Sequence, residues 1–125
     1  MLVKTNGYHY CWYDDNNITE KPLGSFDLFE RECIGGSRFE LWAFGILGEE
    51  NRGKGYGQRM LREAIALVGD NELRLYVYRH NKVAVHVYEK AGFRITGSYM
   101  GDKAWTMTYF GNQENNFAKR EQCCA

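Results

Sequence analysis

The chain has 125 residues, 44% of them hydrophobic, which is enough for about one domain with a core of its own. Sixteen acidic and sixteen basic residues cancel, so there is no electrostatic footprint for nucleic acid or an anionic membrane. No apolar run approaches the ~20 residues of a membrane-spanning helix, and Met1 to Gly7 lacks a secretory hydrophobic region, which points to a cytoplasmic protein.

The N-terminal third reads as β-structure. Tyr8-His9-Tyr10-Cys11-Trp12-Tyr13 is an aromatic strand, followed by the turn cluster Asp14-Asp15-Asn16-Asn17. Gly24 to Arg31 alternates as a second strand. Gly35-Gly36-Ser37 is a second turn, and Arg38 to Leu47 a third strand. Three strands joined by turns predict an antiparallel meander. The aromatic cluster Tyr8, Tyr10, Trp12 and Tyr13 is expected to serve as an acceptor platform, a partner surface or a cover for the side of the sheet that lacks helices. Cys11 and Cys33, each inside a strand, are expected to be buried thiols and not a disulfide. His9, His80, His86 and the cysteines do not make a metal-ligand pattern.

After the apolar run Leu41 to Leu47 comes Arg52-Gly53-Lys54-Gly55-Tyr56-Gly57-Gln58. Alternate glycines at a strand-to-helix junction leave backbone N–H groups uncovered, which suits a phosphate or pyrophosphate. Gly57, Met60, Leu61, Ala64, Ile65 and Val68 then recur at helical spacing, with Gly69 as the stop. Leu73, Leu75 and Val77 alternate with Arg74, Tyr76 and Tyr78, a strand. Strand, helix and strand form a crossover unit, so the strands ending near Leu47 and Tyr78 should be parallel.

Val83 to Tyr88 is ambiguous. Alternate β-branched residues favour a strand, whereas Asn81 as N-cap, Gly92 as stop and the face Ala84, Val87, Tyr88, Ala91 favour a helix. Phe93 to Tyr99 and Ala104 to Phe110 make a hairpin around Met100 to Lys103. Residues 1–110 read as one domain and 111–125 as a polar tail ending in Cys123 and Cys124.

A glycine loop by itself has several owners. A dinucleotide fold needs it early in a parallel sheet, with an acidic residue at about the place of Glu72. The antiparallel strands before it argue against that fold. A Walker A loop needs a hydroxyl after Gly-Lys, and Gly55 stands there. Asn81, Ala84 and Tyr88-Glu89-Lys90-Ala91-Gly92-Phe93 follow about thirty residues later. With the Arg52 to Gly57 motif they resemble the GCN5-related N-acetyltransferase (GNAT) superfamily over Leu41 to Gly97.

The resemblance implies an α/β (α+β) fold. It has a mixed, mostly antiparallel sheet with a central parallel pair. It also makes Lys82 to Ala91 a helix. It implies acetyl-CoA as acyl donor, no metal, and an amine acceptor in a protein, peptide or small molecule. The backbone of Arg52, Gly53, Lys54, Gly55, Tyr56, Gly57 and Gln58 would hold the pyrophosphate of coenzyme A. Gly45, Ile46 and Leu47 would run beside the pantetheine arm, in a slot where two strands splay. Asn81 would touch that arm. Tyr88 would protonate the departing thiolate, because a phenol with a pKa near 10 is close to an alkyl thiol. An N–H near Leu47 would receive the oxyanion. For the amine's proton the candidates are Glu40, Glu32, Asp27 and His80, with Glu40 preferred for its place on the strand leading to the site.

The resemblance is incomplete in the first forty residues, which read as β-structure where the family carries acceptor-side helices. Glu49 and Asn51 also stand where proline and an aromatic are common. Reduced or absent helices leave an open acceptor side, which a homodimer could close. The alternative to an enzyme is a GNAT-fold module that binds coenzyme A or protein without catalysis.

Overall fold

Alternating apolar residues in the first half pair with their chain neighbours. The computed structural model describes residues 1–15, 20–33 and 36–111, without the side chains of Cys33, Gly36 and Ser37. Expected turn residues Asn16, Asn17 and Gly35, and the tail from Asn112 to Cys123 and Cys124, lie outside them. Strands β1 (Leu2–Lys4), β2 (His9–Trp12), β3 (Gly24–Cys33) and β4 (Gly36–Ile46) pair antiparallel in sequence order. At three residues, β1 is too short to show an alternation in sequence.

Helix α1 (Tyr56–Val68) follows the glycine loop and buries Met60, Leu61, Ala64 and Val68. Gly69 ends it at φ +60°, a conformation that costs other residues roughly 1–2 kcal/mol. Strand β5 (Glu72–Tyr78) pairs parallel with β4. The ambiguous segment is helix α2 (Lys82–Lys90), with Asn81 Oδ1 accepting the Ala84 N–H at 3.2 Å. That cap decides against a strand: Tyr88 turns inward while Val83 stays 78% exposed. Strands β6 (Arg94–Tyr99) and β7 (Ala104–Tyr109) form the hairpin, and β7 inserts beside β5. The seven-stranded order is β1-β2-β3-β4-β5-β7-β6.

Both helices share one core with one face of the sheet. Trp12, Phe26, Leu28, Leu41, Leu73, Leu75, Val77 and Met107 meet Met60, Leu61, Ala64, Val68 and Tyr88 there. Each such side chain contributes roughly 1.5–3 kcal/mol on burial. Strand alternation puts Cys11, His9, Asp27, Phe29, Glu40, Trp42, Arg74 and Tyr76 on the opposite face. Among the described residues no helix covers it.

Two expectations change. The N-terminal aromatics do not form one platform. Tyr10 stacks on Phe26 and Trp12 meets Tyr56 on the helix side, whereas Tyr8 stacks on Phe29 across the sheet. Tyr8 lies before β2 begins and so escapes its alternation. Cys11 is a free thiol that is only half-buried, because it lies on the face the helices leave open.

Candidate active site

The β4–β5 pairing runs from Arg38↔Glu72 to Leu41↔Leu75 and stops, although the strands continue to Ile46 and Tyr78. The cause lies on the other edge of β4. Ser25 pairs with Gly45 but Asp27 with Trp42, so Ala43 and Phe44 together oppose Phe26. This is a β-bulge, and Ala43 takes φ +53°. A bulge bends its strand, and β4 leaves β5 just where this one begins. The expected slot near Leu47 and Tyr78 is therefore present.

The glycine loop stands at the end of that slot. Gly53 and Gly55 sit at φ +74° and +78°. Gly55 is the N-cap of α1 and supplies no side chain to the first helical N–H groups. A Cβ at Gly53, Gly55 or Gly57 would meet nothing within 4 Å. Protein packing therefore does not explain Gly57, and the space above the N–H groups is open. Arg52 and Lys54 are exposed beside it. Uncapped N–H groups, the helix dipole and two cations fit a pyrophosphate. A cavity of about 790 Å³ adjoins the end of β4 on the β3 side, where Glu20, Lys21, Pro22, Leu23, Glu50 and Asn51 line it with Leu47 and Gly48. Its two carboxylates make it a poorer place for a phosphate than the glycine loop.

The other expected site residues distribute as follows. Tyr88 is 8% exposed and touches Phe44 and Phe93, with ring centroids 6.0 and 5.8 Å away. Burial pushes its phenol up to about 12, farther from a thiol than a free tyrosine is. It remains fully protonated at neutral pH. Gln58 Nε2 donates to the Val87 carbonyl at 3.4 Å and ties α1 to α2. Asn81 spends its carbonyl oxygen on the helix cap and keeps its amide NH₂ free of that bond.

An N–H near Leu47 is the expected oxyanion donor; that of Leu47 itself donates to the Leu23 carbonyl at 2.8 Å and is not the open one. Backbone groups alternate sides along an antiparallel strand. Ile46 therefore turns its N–H toward the slot, where β5 no longer pairs.

Glu40 is 6% exposed, on the open face, one residue before the last paired rung. It accepts from Arg31 Nε and from Trp42 Nε1, each at 3.2 Å. Among the other candidate bases, Asp27 is bound to His9 at 2.6 Å. His80 stacks on Tyr78 in solvent, and Glu32 is exposed near the far end of β3.

Three residues escaped the sequence reading. Trp42, Tyr76 and Tyr99 form an aromatic cluster, with Tyr76 and Tyr99 stacked at 4.0 Å and Trp42 tilted on Tyr76 at 5.1 Å. They line a cavity of about 200 Å³ with Val77, Tyr78, Met100 and Ala104. It opens beside the slot, on the same face as Glu40. Alternation alone puts Trp42 and Tyr76 on the outward face; Tyr99 joins them only through the β7 insertion.

Known proteins share this fold. The family model described as "Acetyltransferase (GNAT) family" matches residues 2–93. The uncharacterized N-acetyltransferase YdgE of Bacillus subtilis is 32% identical over 95 residues, covering 74% of this chain and 59% of YdgE. A second B. subtilis relative, the uncharacterized N-acetyltransferase YycN, is 36% identical over 66 residues, covering 50% of this chain and 42% of YycN. The chain thus spans about half the length of these curated relatives. Among solved structures, the PaiA N-acetyltransferase of Thermoplasma acidophilum in complex with coenzyme A superposes with a TM-score of 0.64 at 25% identity, covering 82% and 59% of the two chains. Arabidopsis thaliana Naa50 with the bisubstrate analogue CoA-Ac-MVNAL gives 0.63 at 20% identity, covering 80% and 70%. With the family model covering most of its length and the strand splay and glycine loop in place, this chain belongs to the GNAT acetyltransferase family.

Proposed function

We propose that this chain transfers an acetyl group from acetyl-CoA to a primary amine by direct attack. The observation that carries the reading is the uncapped, glycine-lined start of α1 at the end of the β4–β5 slot. Solved relatives hold coenzyme A or a coenzyme A conjugate, which supports the same donor here.

In this reading the N–H groups from Gly53 to Gln58 hold the pyrophosphate, with the Arg52 N–H engaged by the Glu49 carbonyl at 3.1 Å and its side chain adding charge. The β4 edge at Gly45, Ile46 and Leu47 lies along the pantetheine arm, and the amide of Asn81 reaches it from α2. The Ile46 N–H stabilises negative charge on the thioester oxygen. Tyr88 gives its proton to the departing thiolate. Its burial keeps the proton available at every physiological pH, and general-acid help of this kind is worth ~10²–10⁴-fold. Glu40 takes the amine's proton through water, and its bonds to Arg31 and Trp42 hold it beside the aromatic cavity. The lining of that cavity suits a peptide or small amine with an apolar group next to the nitrogen.

The test is turnover. Purified protein, acetyl-CoA and a panel of peptide and small amines should release free coenzyme A over many turnovers, beyond one equivalent per chain, only when an amine is present. Acetyl-CoA binding without turnover across the panel would replace this reading with a coenzyme A-binding module.

A further inference from the structure

Cys11, His9 and Asp27 form a second chemical cluster, on the sheet face that no described helix covers. Cys11 and His9 are two residues apart on β2, so their side chains share that face. His9 is in register with Asp27 on β3. His9 Nδ1 donates to Asp27 Oδ1 at 2.6 Å, and His9 Nε2 lies 3.7 Å from Cys11 Sγ. Side-chain exposures of 35% for His9 and 24% for Asp27 leave a path from solution. Cys11 is a free, half-exposed thiol.

The order of contacts sets the chemistry. The Asp27 carboxylate holds the proton on Nδ1, which leaves the Nε2 lone pair for the thiol proton. A thiol beside a base that is oriented by a carboxylate is the arrangement of an activated nucleophile. A soft acyl donor, a thioester, is what such a thiolate attacks. Cys11 also shares a rung with Ser25 and Gly45. That places it two strands, roughly 10 Å, from the part of β4 assigned to the donor arm.

We propose that Cys11 is a second acyl-accepting site, a nucleophilic thiol served by His9 as base and by Asp27 as the residue that positions His9. Sulfur forms a bond to the thioester carbonyl carbon, and the donor's carbon–sulfur bond breaks. The Cys11 proton passes to His9 Nε2 and then to the departing thiolate. The products are S-acyl Cys11 and the free thiol of the donor. Neither Tyr88 nor Glu40 takes part, so this site stands apart from amine transfer.

The experiment treats the full chain with acetyl-CoA and, separately, with iodoacetamide, and follows Cys11 by peptide-resolved mass spectrometry. Cys11 should become acetylated. Both rates should fall roughly 10-fold or more in His9→Gln, and less in Asp27→Asn. Circular dichroism and thermal melts check that the variants fold. The wild-type chain unfolded in urea supplies a control without any variant: there Cys11 is fully exposed but has lost His9, and it should react more slowly with iodoacetamide than in the native chain. The proposal is overturned if Cys11 stays unacetylated at saturating acetyl-CoA. It is also overturned if His9→Gln, folded, reacts as fast as wild type, or if the unfolded chain reacts as fast as the native one. Amine turnover measured in parallel separates the two sites, because turnover without Cys11 acetylation removes only this one.

Discussion

Leu41 pairs with Leu75 as the last rung of the parallel β4–β5 pair, and two residues later Ala43 takes a left-handed conformation in a bulge against Phe26. The two facts belong together. The bulge turns β4 away from β5, the Ile46 N–H loses a strand partner, and a slot opens that ends at the glycine loop. The slot so formed lies between a buried phenol, Tyr88, and the aromatic cavity, which is where the proposed reading puts the donor thioester.

Gly55 is the most sensitive loop position. At φ +78° a side chain is strained, by roughly 1–2 kcal/mol, and it would project over the first N–H groups of α1. Gly55→Val should weaken acetyl-CoA binding at least ~10-fold by calorimetry. It should lower Tm by only a few degrees.

Tyr88→Phe keeps the ring that packs on Phe44 and Phe93 and removes the proton. The expected result is a kcat lower by ~10²-fold with acetyl-CoA affinity within about twofold. An unchanged kcat would take Tyr88 out of the general-acid role.

The same phenol predicts a pH effect on stability. Its folded pKa of about 12 lies above the ordinary value of 10.0 because burial opposes its ionisation. Between those values the unfolded chain loses the proton first, so stability is intact below pH 10 and declines as pH rises toward 12. Two units correspond to roughly 2–3 kcal/mol. Urea melts of wild type should lose about that much more than Tyr88→Phe over this range.

Glu40→Gln preserves shape and can still accept from Trp42, but it cannot take a proton. The expected loss in kcat/KM is ~10²-fold at pH 7, shrinking as pH rises and more of the amine is already neutral. A loss independent of pH would mark Glu40 as a residue that only positions Trp42.

Trp42→Ala opens the aromatic cavity without touching the glycine loop. KM for the amine should rise roughly 10-fold, while acetyl-CoA affinity stays within about twofold. An equal loss for both ligands would mean the substitution disturbs β4 itself.

The Arg52 to Gln58 loop, the buried face of α1 and the hairpin around Met100 to Lys103 were all readable in sequence, because each is a property of a few consecutive residues. Val83 to Tyr88 shows where that reach ends. Its β-branched residues alternate as in a strand, and the family resemblance was needed to read it as a helix. In the structure the Asn81 cap and the inward Tyr88 make that choice visible. The Leu47 N–H shows a second limit, since its bond to Leu23 depends on the register of two strands.

The sequence by itself determined where the glycine-rich helix start lies, which helix faces are apolar and which phenol follows the second helix cap. Spacing, glycine and cap residues act over one or two turns of chain, and those are local. Tertiary structure alone decided that β7 inserts beside β5 and brings Tyr99 to Tyr76. It decided that a bulge at Ala43 opens the slot, and that His9 meets Asp27 across two strands. These depend on pairing partners and register between distant segments, which packing of the whole sheet against α1 and α2 selects.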